Sequence, residues 1–230
     1  MTQACPLCAH PTTQPFHADP DRDYLHCPRC DLIFVEREAL LGPAAEKARY
    51  DRHENDPTDP AYRHFLNQLV QPLLARLGPP PLKGLDFGSG PGPTLSIMLA
   101  EQGYPMRIYD PFYAPNPQVL DETYDFVTCT ETLEHFYTPR IEWRLLVELV
   151  KPGGWLGIMT RIHPSPENFP AWSYKNDDTH VSFYSQKTFT FLADQDDLHV
   201  DFIGDNVILF YKPVGWQPPR PTGQTTTPNR

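Results

Sequence analysis

Between residues 84 and 160 the chain alternates short apolar runs with stretches of helical periodicity. The runs 84–87, 106–109, 125–130 and 155–160 are of strand length, whereas 94–102 and 139–150 repeat their apolar residues at three and four. A parallel strand can reach its neighbour only through a crossover of a dozen or more residues, usually helical. The alternation therefore predicts an α/β fold, a mostly parallel sheet with helices on both faces. A further helix is expected at 185–193 and closing strands at 200–203 and 207–211, with no internal repeat.

The flanks differ in character. Residues 1–42 are rich in cysteine, proline and polar residues, with short extended candidates at 24–26 and 32–35. Residues 43–81 read as a helical linker or lid. Asp59 is a suitable N-cap ahead of Pro60, and Phe65, Leu66, Leu69, Val70, Leu73, Leu74 and Leu77 form one apolar stripe. Pro72 is expected to kink this helix and the run Gly78-Pro79-Pro80-Pro81 to end it. Residues 82–212 then form the main domain, and 213–230, rich in proline and threonine, are expected to be a disordered tail.

Cys5 and Cys8, spaced C-x2-C, are answered by Cys27 and Cys30 with the same spacing. Four thiolates so arranged can close a tetrahedral zinc shell, which leaves no open coordination position, so the expected metal is structural. A closed site of this kind can stabilise a forty-residue segment that has little core of its own. His10, His17 and His26 stand nearby and are read as bystanders. One zinc per chain is expected, and loss of Cys5 or Cys30 is expected to loosen residues 1–42 while the main domain stays folded on a separate core.

A different chemistry is signalled by "LDFGSGPG". Asp86, Gly88, Ser89, Gly90 and Gly92 lie between a strand pattern and a helix pattern, where glycines let the backbone approach a ligand. Pro93 occupies the sixth position of the dinucleotide fingerprint, and no Gly-Lys-Ser/Thr follows, so neither that motif nor a P-loop fits. Asp110 ends the next strand candidate and is placed to accept hydrogen bonds from ribose hydroxyls. Together these features indicate a nucleoside-containing cofactor held without a pyrophosphate grip.

The segments "LDFGSGPG", "RIYD", "YDFVTCTETLEHF" and "LVKPGGWLGIMT", in this order and spacing, resemble class I S-adenosylmethionine-dependent methyltransferases over about residues 82–211. The resemblance implies a Rossmann-like sheet and S-adenosylmethionine as cofactor. Gly88, Gly90 and Gly92 would line its methionine part, Asp86 would order the site and Asp110 would hold the ribose. It further implies that Thr130 and Glu131 border the cofactor and that residues 133–136 face the substrate. Only residues 111–124 separate Asp110 from the fourth strand, so the usual intervening helix and third strand must be shortened or missing, which leaves Asp121 as a weak adenine candidate. The cysteine knuckles add a resemblance to bacterial small-molecule methyltransferases, including sugar C-methyltransferases, that carry an N-terminal zinc module. That second likeness speaks to fold and cofactor and says little about substrate.

Methyl transfer from a sulfonium is an in-line displacement, so a base is needed only for a hydroxyl or carbon acid. His135 in "ETLEHF" and His180 in "DDTHVSFYS" are the catalytic candidates, ahead of Glu134, His163 and Tyr184; Trp172 and Tyr174 are read as a lid or a satellite core. A net charge of −10 removes the broad basic surface that supplies most non-specific nucleic-acid affinity. No apolar run is long enough to span a membrane and no leader pattern opens the chain, so a cytoplasmic protein is expected. The expected function is methylation of a small molecule at O, N or C. The alternatives are an RNA methyltransferase gripping its substrate with the zinc module, which a basic face on residues 1–42 would support, and a non-catalytic partner-binding protein. Acceptor atom, substrate and oligomeric state are not encoded in any recognisable motif.

Overall fold

The computed structural model describes residues 3–52 and 55–218. Its N-terminal part is an antiparallel meander of β1 (Gln14–Ala18), β2 (Asp23–His26) and β3 (Ile33–Val35). Strand β1 is absent from the sequence expectation because its residues, QPFHA, show little apolar alternation and only partial burial. The two cysteine knuckles are conformational twins. Ala9 and Asp31, each directly after the second cysteine of its pair, have φ of 56° and 65° and donate backbone bonds to Cys5 and Cys27 at 3.0 and 2.9 Å.

Helices α1 (Pro43–Tyr50) and α2 (Pro60–Leu74) follow. The Asp59 carboxylate accepts from the Ala61 amide at 2.8 Å, satisfying one of the orphan donors of the α2 N-terminus. Leu66, Leu69, Val70 and Leu73 are buried from α2, each contributing about 1.5–3 kcal/mol by leaving water. They share a core layer with Leu95, Phe126, Met159 and Leu209, and Gly157 lets Leu69 come so near that an added Cβ would stand 3.1 Å from its Cδ1. Pro72 falls in the last turn of α2, which ends two residues later.

The main sheet contains β4 (Gly84–Phe87), β5 (Met106–Tyr109), β6 (Tyr124–Thr130) and β7 (Val150–Met159), with α3 (Thr94–Glu101) and α4 (Pro139–Leu149) in the crossovers. A short strand β8 (Ser182–Phe183), helix α5 (Gln186–Gln195) and the strands β9 (His199–Ile203) and β10 (Val207–Tyr211) complete the chain. The strand order is β5-β4-β6-β7-β10-β9, parallel from β5 to β7, with β10 antiparallel to both neighbours. Strand β5 is one edge of this sheet and β9 the other. The segment between β5 and β6 holds only a 3-10 turn, Pro117–Asp121, with Val119 in the core, so the intervening helix and third strand are missing outright.

Strand β8 belongs to the other sheet, pairing with β3 to give the order β1-β2-β3-β8. The cysteine module is thus stitched to the C-terminal half of the chain. Cys5, Leu7, Cys27, Cys30, Leu32 and Phe34 lie in the same apolar cluster as Leu133, Phe136, Tyr184 and Phe189. This continuity overturns the expectation that the module can loosen on a core of its own. Spacing within the knuckles carries no information about what the module packs against, so the shared core could not be read from it. Of the C-terminal tail, residues 219–230 lie outside the described residues, whereas Trp216 is anchored, its indole N–H donating to the Asp196 carbonyl at 2.6 Å.

Candidate functional site

The carboxyl ends of β4, β5 and β6 open on one cleft of about 690 Å³, within the range of small-molecule sites. It lies where the chain leaves β4 toward β5 on one side and β6 lies on the other, the switch point at which open α/β sheets place ligands. Each of the candidates Asp86, Gly88, Ser89, Gly90, Gly92, Asp110, Thr130 and Glu131 lines it, as do His135 and His180. The topology brings together residues from four separate sequence segments.

The turn after β4 requires glycine for steric reasons. Gly88 has φ of 77°, and a Cβ there would stand 2.3 Å from the Thr132 side chain. Asp110 ties this turn to the next one: its Oδ2 accepts from the Gly90 amide at 3.0 Å, and its Oδ1 from the Phe112 and Tyr113 amides at 2.8 and 3.0 Å. Asp86 lies deeper, accepting from the Thr128 hydroxyl at 2.8 Å, and burial pushes its carboxyl up to about 6. Helices α1 and α2 contribute Glu46, Tyr50 and Tyr62 to the wall. These residues, with Phe112, Tyr113 and Thr132, carry no recognisable motif, and only their neighbourhood to the glycine turn in space marks them.

Polar satisfaction singles out the same cleft. Among the described residues, the buried side-chain oxygens without a hydrogen-bond partner are Ser89 Oγ, Thr130 Oγ1, Glu131 Oε1 and Glu142 Oε2, and all four residues line it. An unpaired buried polar atom costs about 1–3 kcal/mol, so four around one cavity are suited to a polar ligand. Glu131 bears further strain, with φ of 47°, and burial together with the Glu134 charge pushes its carboxyl up to about 8. The native state keeps a proton that the unfolded chain gives up, so this group's contribution to stability is present at low pH and lost as pH rises through about 8. Glu131→Gln is accordingly expected to match wild type near ~pH 5 and to exceed it by on the order of 2 kcal/mol, roughly 4–8 °C, near ~pH 8.5, measured by thermal unfolding.

The histidines share one arrangement. His135 Nδ1 lies 3.0 Å from the Thr179 carbonyl and His180 Nδ1 lies 2.7 Å from the Tyr174 carbonyl. A carbonyl only accepts, so each Nδ1 carries a hydrogen, and in the neutral form of either ring Nε2 keeps its lone pair. The rings meet edge to face at 4.8 Å, and burial pulls His180 below its ordinary value. Glu134 is fully buried, accepting from Tyr174 and from Thr160 at 2.9 Å, with its Oε1 3.9 Å from His135 Nε2. Glu134, His135 and His180 offer one ligand atom each within 4.8 Å of one another. A shared cation with bonds of about 2.1 Å would draw them to roughly 3–3.5 Å, so the side chains would have to close before holding one.

Several expectations are corrected here. Leu133 turns into the core rather than toward the substrate side. Tyr184 is buried away from the cleft, donating to the Leu133 carbonyl and stacking on Phe189, and His163 meets the Asp31 and Pro164 carbonyls. Asp121 does not line the cleft. Trp172 packs in a satellite core around Phe169 and Phe183, and Tyr174 joins it while its hydroxyl reaches both glutamates.

The four cysteines form a second candidate centre. Cys5 and Cys30 sulfurs stand 3.6 Å apart and those of Cys8 and Cys27 3.5 Å apart, all four lying within 4.8 Å of one another. Tetrahedral zinc with bonds of about 2.3 Å sets sulfurs roughly 3.8 Å apart, so the donor set fits that ion with little adjustment. His26 turns to Asp31 at 3.0 Å and His17 to Asp19 at 2.9 Å.

Residues 62–201, more than half of the chain, match a family described as a methyltransferase domain. The ubiquinone biosynthesis O-methyltransferase of Photorhabdus laumondii is 34% identical over 71 residues, 31% of this chain and 30% of that protein. Its counterpart in Proteus mirabilis is 35% identical over 86 residues, 37% and 35% of the two chains. The chain thus spans about a third of the length of these curated relatives. A solved O-methyltransferase family protein from Burkholderia thailandensis shares the fold, with a TM-score of 0.50 and 18% identity over 74% of this chain and 63% of that one. Fold, family match and cleft agree, and the chain belongs to the methyltransferase-domain family.

Proposed function

We propose that the protein is an S-adenosylmethionine-dependent methyltransferase acting on a small molecule. The observation that carries this reading is the cleft at the switch point, where a glycine turn, Asp110 and four unpartnered buried oxygens surround one cavity. When bound, the cofactor would supply an activated methyl group on a sulfonium. Gly88, Ser89, Gly90 and Gly92 would lie along its methionine part, with Asp86 ordering the turn beneath them and Thr130 and Glu131 bordering it. Asp110 would hold the ribose, and Phe112 and Tyr113 stand next to it on the adenine side.

On the substrate side, His135 would remove a proton from a hydroxyl or carbon acid. Its Nδ1–H is consumed by Thr179, its Nε2 is available, and Glu134 stands where it would stabilise the imidazolium formed. His180 packs against the same ring and shares the cleft. The relatives are O-methyltransferases by name, which favours an oxygen acceptor.

The charge of the cysteine module argues for a small molecule over RNA. Residues 1–42 contain three arginines and no lysine against six acidic residues, and Arg22 is turned inward onto backbone carbonyls. The module therefore lacks the positive face that a phosphate backbone requires. Four structural cysteines around one zinc give it a scaffolding role instead.

Asp110→Ala tests the cofactor assignment. It removes charge-assisted bonds to the ribose and releases the Gly90, Phe112 and Tyr113 amides. S-adenosylhomocysteine is therefore expected to bind about tenfold to a hundredfold more weakly, roughly 1.5–3 kcal/mol, in calorimetry. Unchanged affinity would remove Asp110 from the site.

A further inference from the structure

We propose that Arg22, a residue of the cysteine module, is a positioning residue for both cleft histidines. It forms a guanidinium clamp that fixes the turn on which their ring orientation and tautomer depend. The inference rests on the reading of His135 and His180 as site residues given above. It assigns to the module a part in preparing that site which the cysteines themselves do not reveal.

Arg22 is half-buried and spends its donors on one short stretch of chain. Its Nη1 donates to the Asp177 and His180 carbonyls, both at 3.1 Å, and its Nη2 donates to the Lys175 carbonyl. Two of the clamped positions directly follow the acceptors that matter, Lys175 after Tyr174 and His180 after Thr179. The Tyr174 carbonyl takes the His180 Nδ1 hydrogen and the Thr179 carbonyl takes that of His135. A planar fork holding three carbonyls of one turn restricts its peptide planes, and with them the direction in which the 174 and 179 carbonyls point.

Neighbouring contacts tighten the same turn without replacing the clamp. Asp177 Oδ1 caps Thr179 through its amide at 3.0 Å and its hydroxyl at 2.7 Å, and Arg49 Nε stands 3.6 Å from that carboxylate. Lys175, almost fully buried, pairs with Asp19 of the module, which also accepts from Tyr24. Strand β3 continues the grip, the Val35 amide bonding the Val181 carbonyl at 2.9 Å while the Val181 amide bonds the Glu134 carbonyl at 2.8 Å. The module and the main domain thus both hold the 174–181 segment. Among the described residues, Arg22 alone reaches three of its carbonyls from a single side chain.

The tautomer is the observable that separates positioning from general support. A free imidazole favours the hydrogen on Nε2, so the Nδ1–H form at both rings has to be enforced by their carbonyl acceptors. Lysine keeps the charge at position 22 but cannot form the fork, and alanine removes both.

The test is a long-range ¹H–¹⁵N spectrum of the imidazole nitrogens in the zinc-loaded full chain, at a pH where both rings are neutral. Signals are assigned with His135→Gln and His180→Gln. Wild type is expected to show Nδ1–H at both rings, and Arg22→Lys and Arg22→Ala to lose that form at one or both while zinc content stays at one per chain. Should the alanine variant not fold, the lysine variant carries the test alone. Retention of Nδ1–H at both rings in the variant studied would overturn the proposal. So would a tautomer change accompanied by loss of zinc, because the clamp would then be only part of the module's own stability. Neither readout depends on finding a substrate or on cofactor binding, so failure here is distinct from failure of the methyltransferase reading.

Discussion

His135→Ala is expected to lower turnover roughly 10²–10⁴-fold on a hydroxyl or carbon-acid substrate, with affinity for S-adenosylhomocysteine little changed. The Thr179 carbonyl fixes the ring with its Nε2 lone pair available to a substrate proton. Glu134 stands 3.9 Å from that nitrogen and is itself immobilised by Tyr174 and Thr160, so the charge that appears on the ring meets a preorganised partner. His180→Ala, assayed in parallel, is expected to fall less, because it removes the packing partner of His135 and leaves the His135 ring in place. An amine or thiol acceptor would give a small penalty in both, since only positioning is then lost. Near-wild-type turnover of both variants on a hydroxyl substrate would reject a histidine base and leave Glu134 as the next group. A fall in cofactor affinity equal to the fall in rate would mean that the histidine shapes the cleft without moving a proton.

Loss of the proposed zinc is expected to be the second large effect. Elemental analysis of protein purified without added metal is expected to give one zinc per chain, and a ratio well below one would contradict the assignment. Structural zinc contributes about 10–16 kcal/mol in isolated zinc-finger peptides, so Cys27→Ser or strong chelation should cost on the order of several kcal/mol here. The cost is expected to reach the entire chain. Cys27 and Cys30 are fully buried in the cluster that also contains Phe136 and Phe189, and β3 pairs with β8 just beyond His180. Thermal unfolding should therefore show one cooperative transition shifted downward. Two separable transitions, the upper one unmoved, would show that the module and the sheet are energetically independent after all.

What the sequence discloses and what it hides divide along the distance between interacting residues. The order of strands and helices in the main sheet follows from local periodicity, and the short gap after Asp110 already signals the missing third strand. The glycine turn is legible because backbone geometry dictates its residue types within a few positions. The four cysteines are legible because metal coordination dictates their spacing. Arg22 is not, since the carbonyls it holds lie more than 150 residues away and any donor-rich side chain would look the same in sequence. Neither is the pairing of β3 with a two-residue strand, too short to leave a pattern. Tyr184 illustrates the opposite error. It stands in the same stretch as His180, four residues on, yet strand β8 turns it into the core, where it donates to a backbone carbonyl.

The central claim, that the cleft between β4 and β6 is a cofactor site, is tested most directly by titrating the zinc-loaded full chain with S-adenosylhomocysteine in a calorimeter. One molecule per chain is expected, with binding weakened by Asp110→Ala and left intact by His135→Ala. Absence of binding by wild type, or binding that Asp110→Ala leaves untouched, would contradict it.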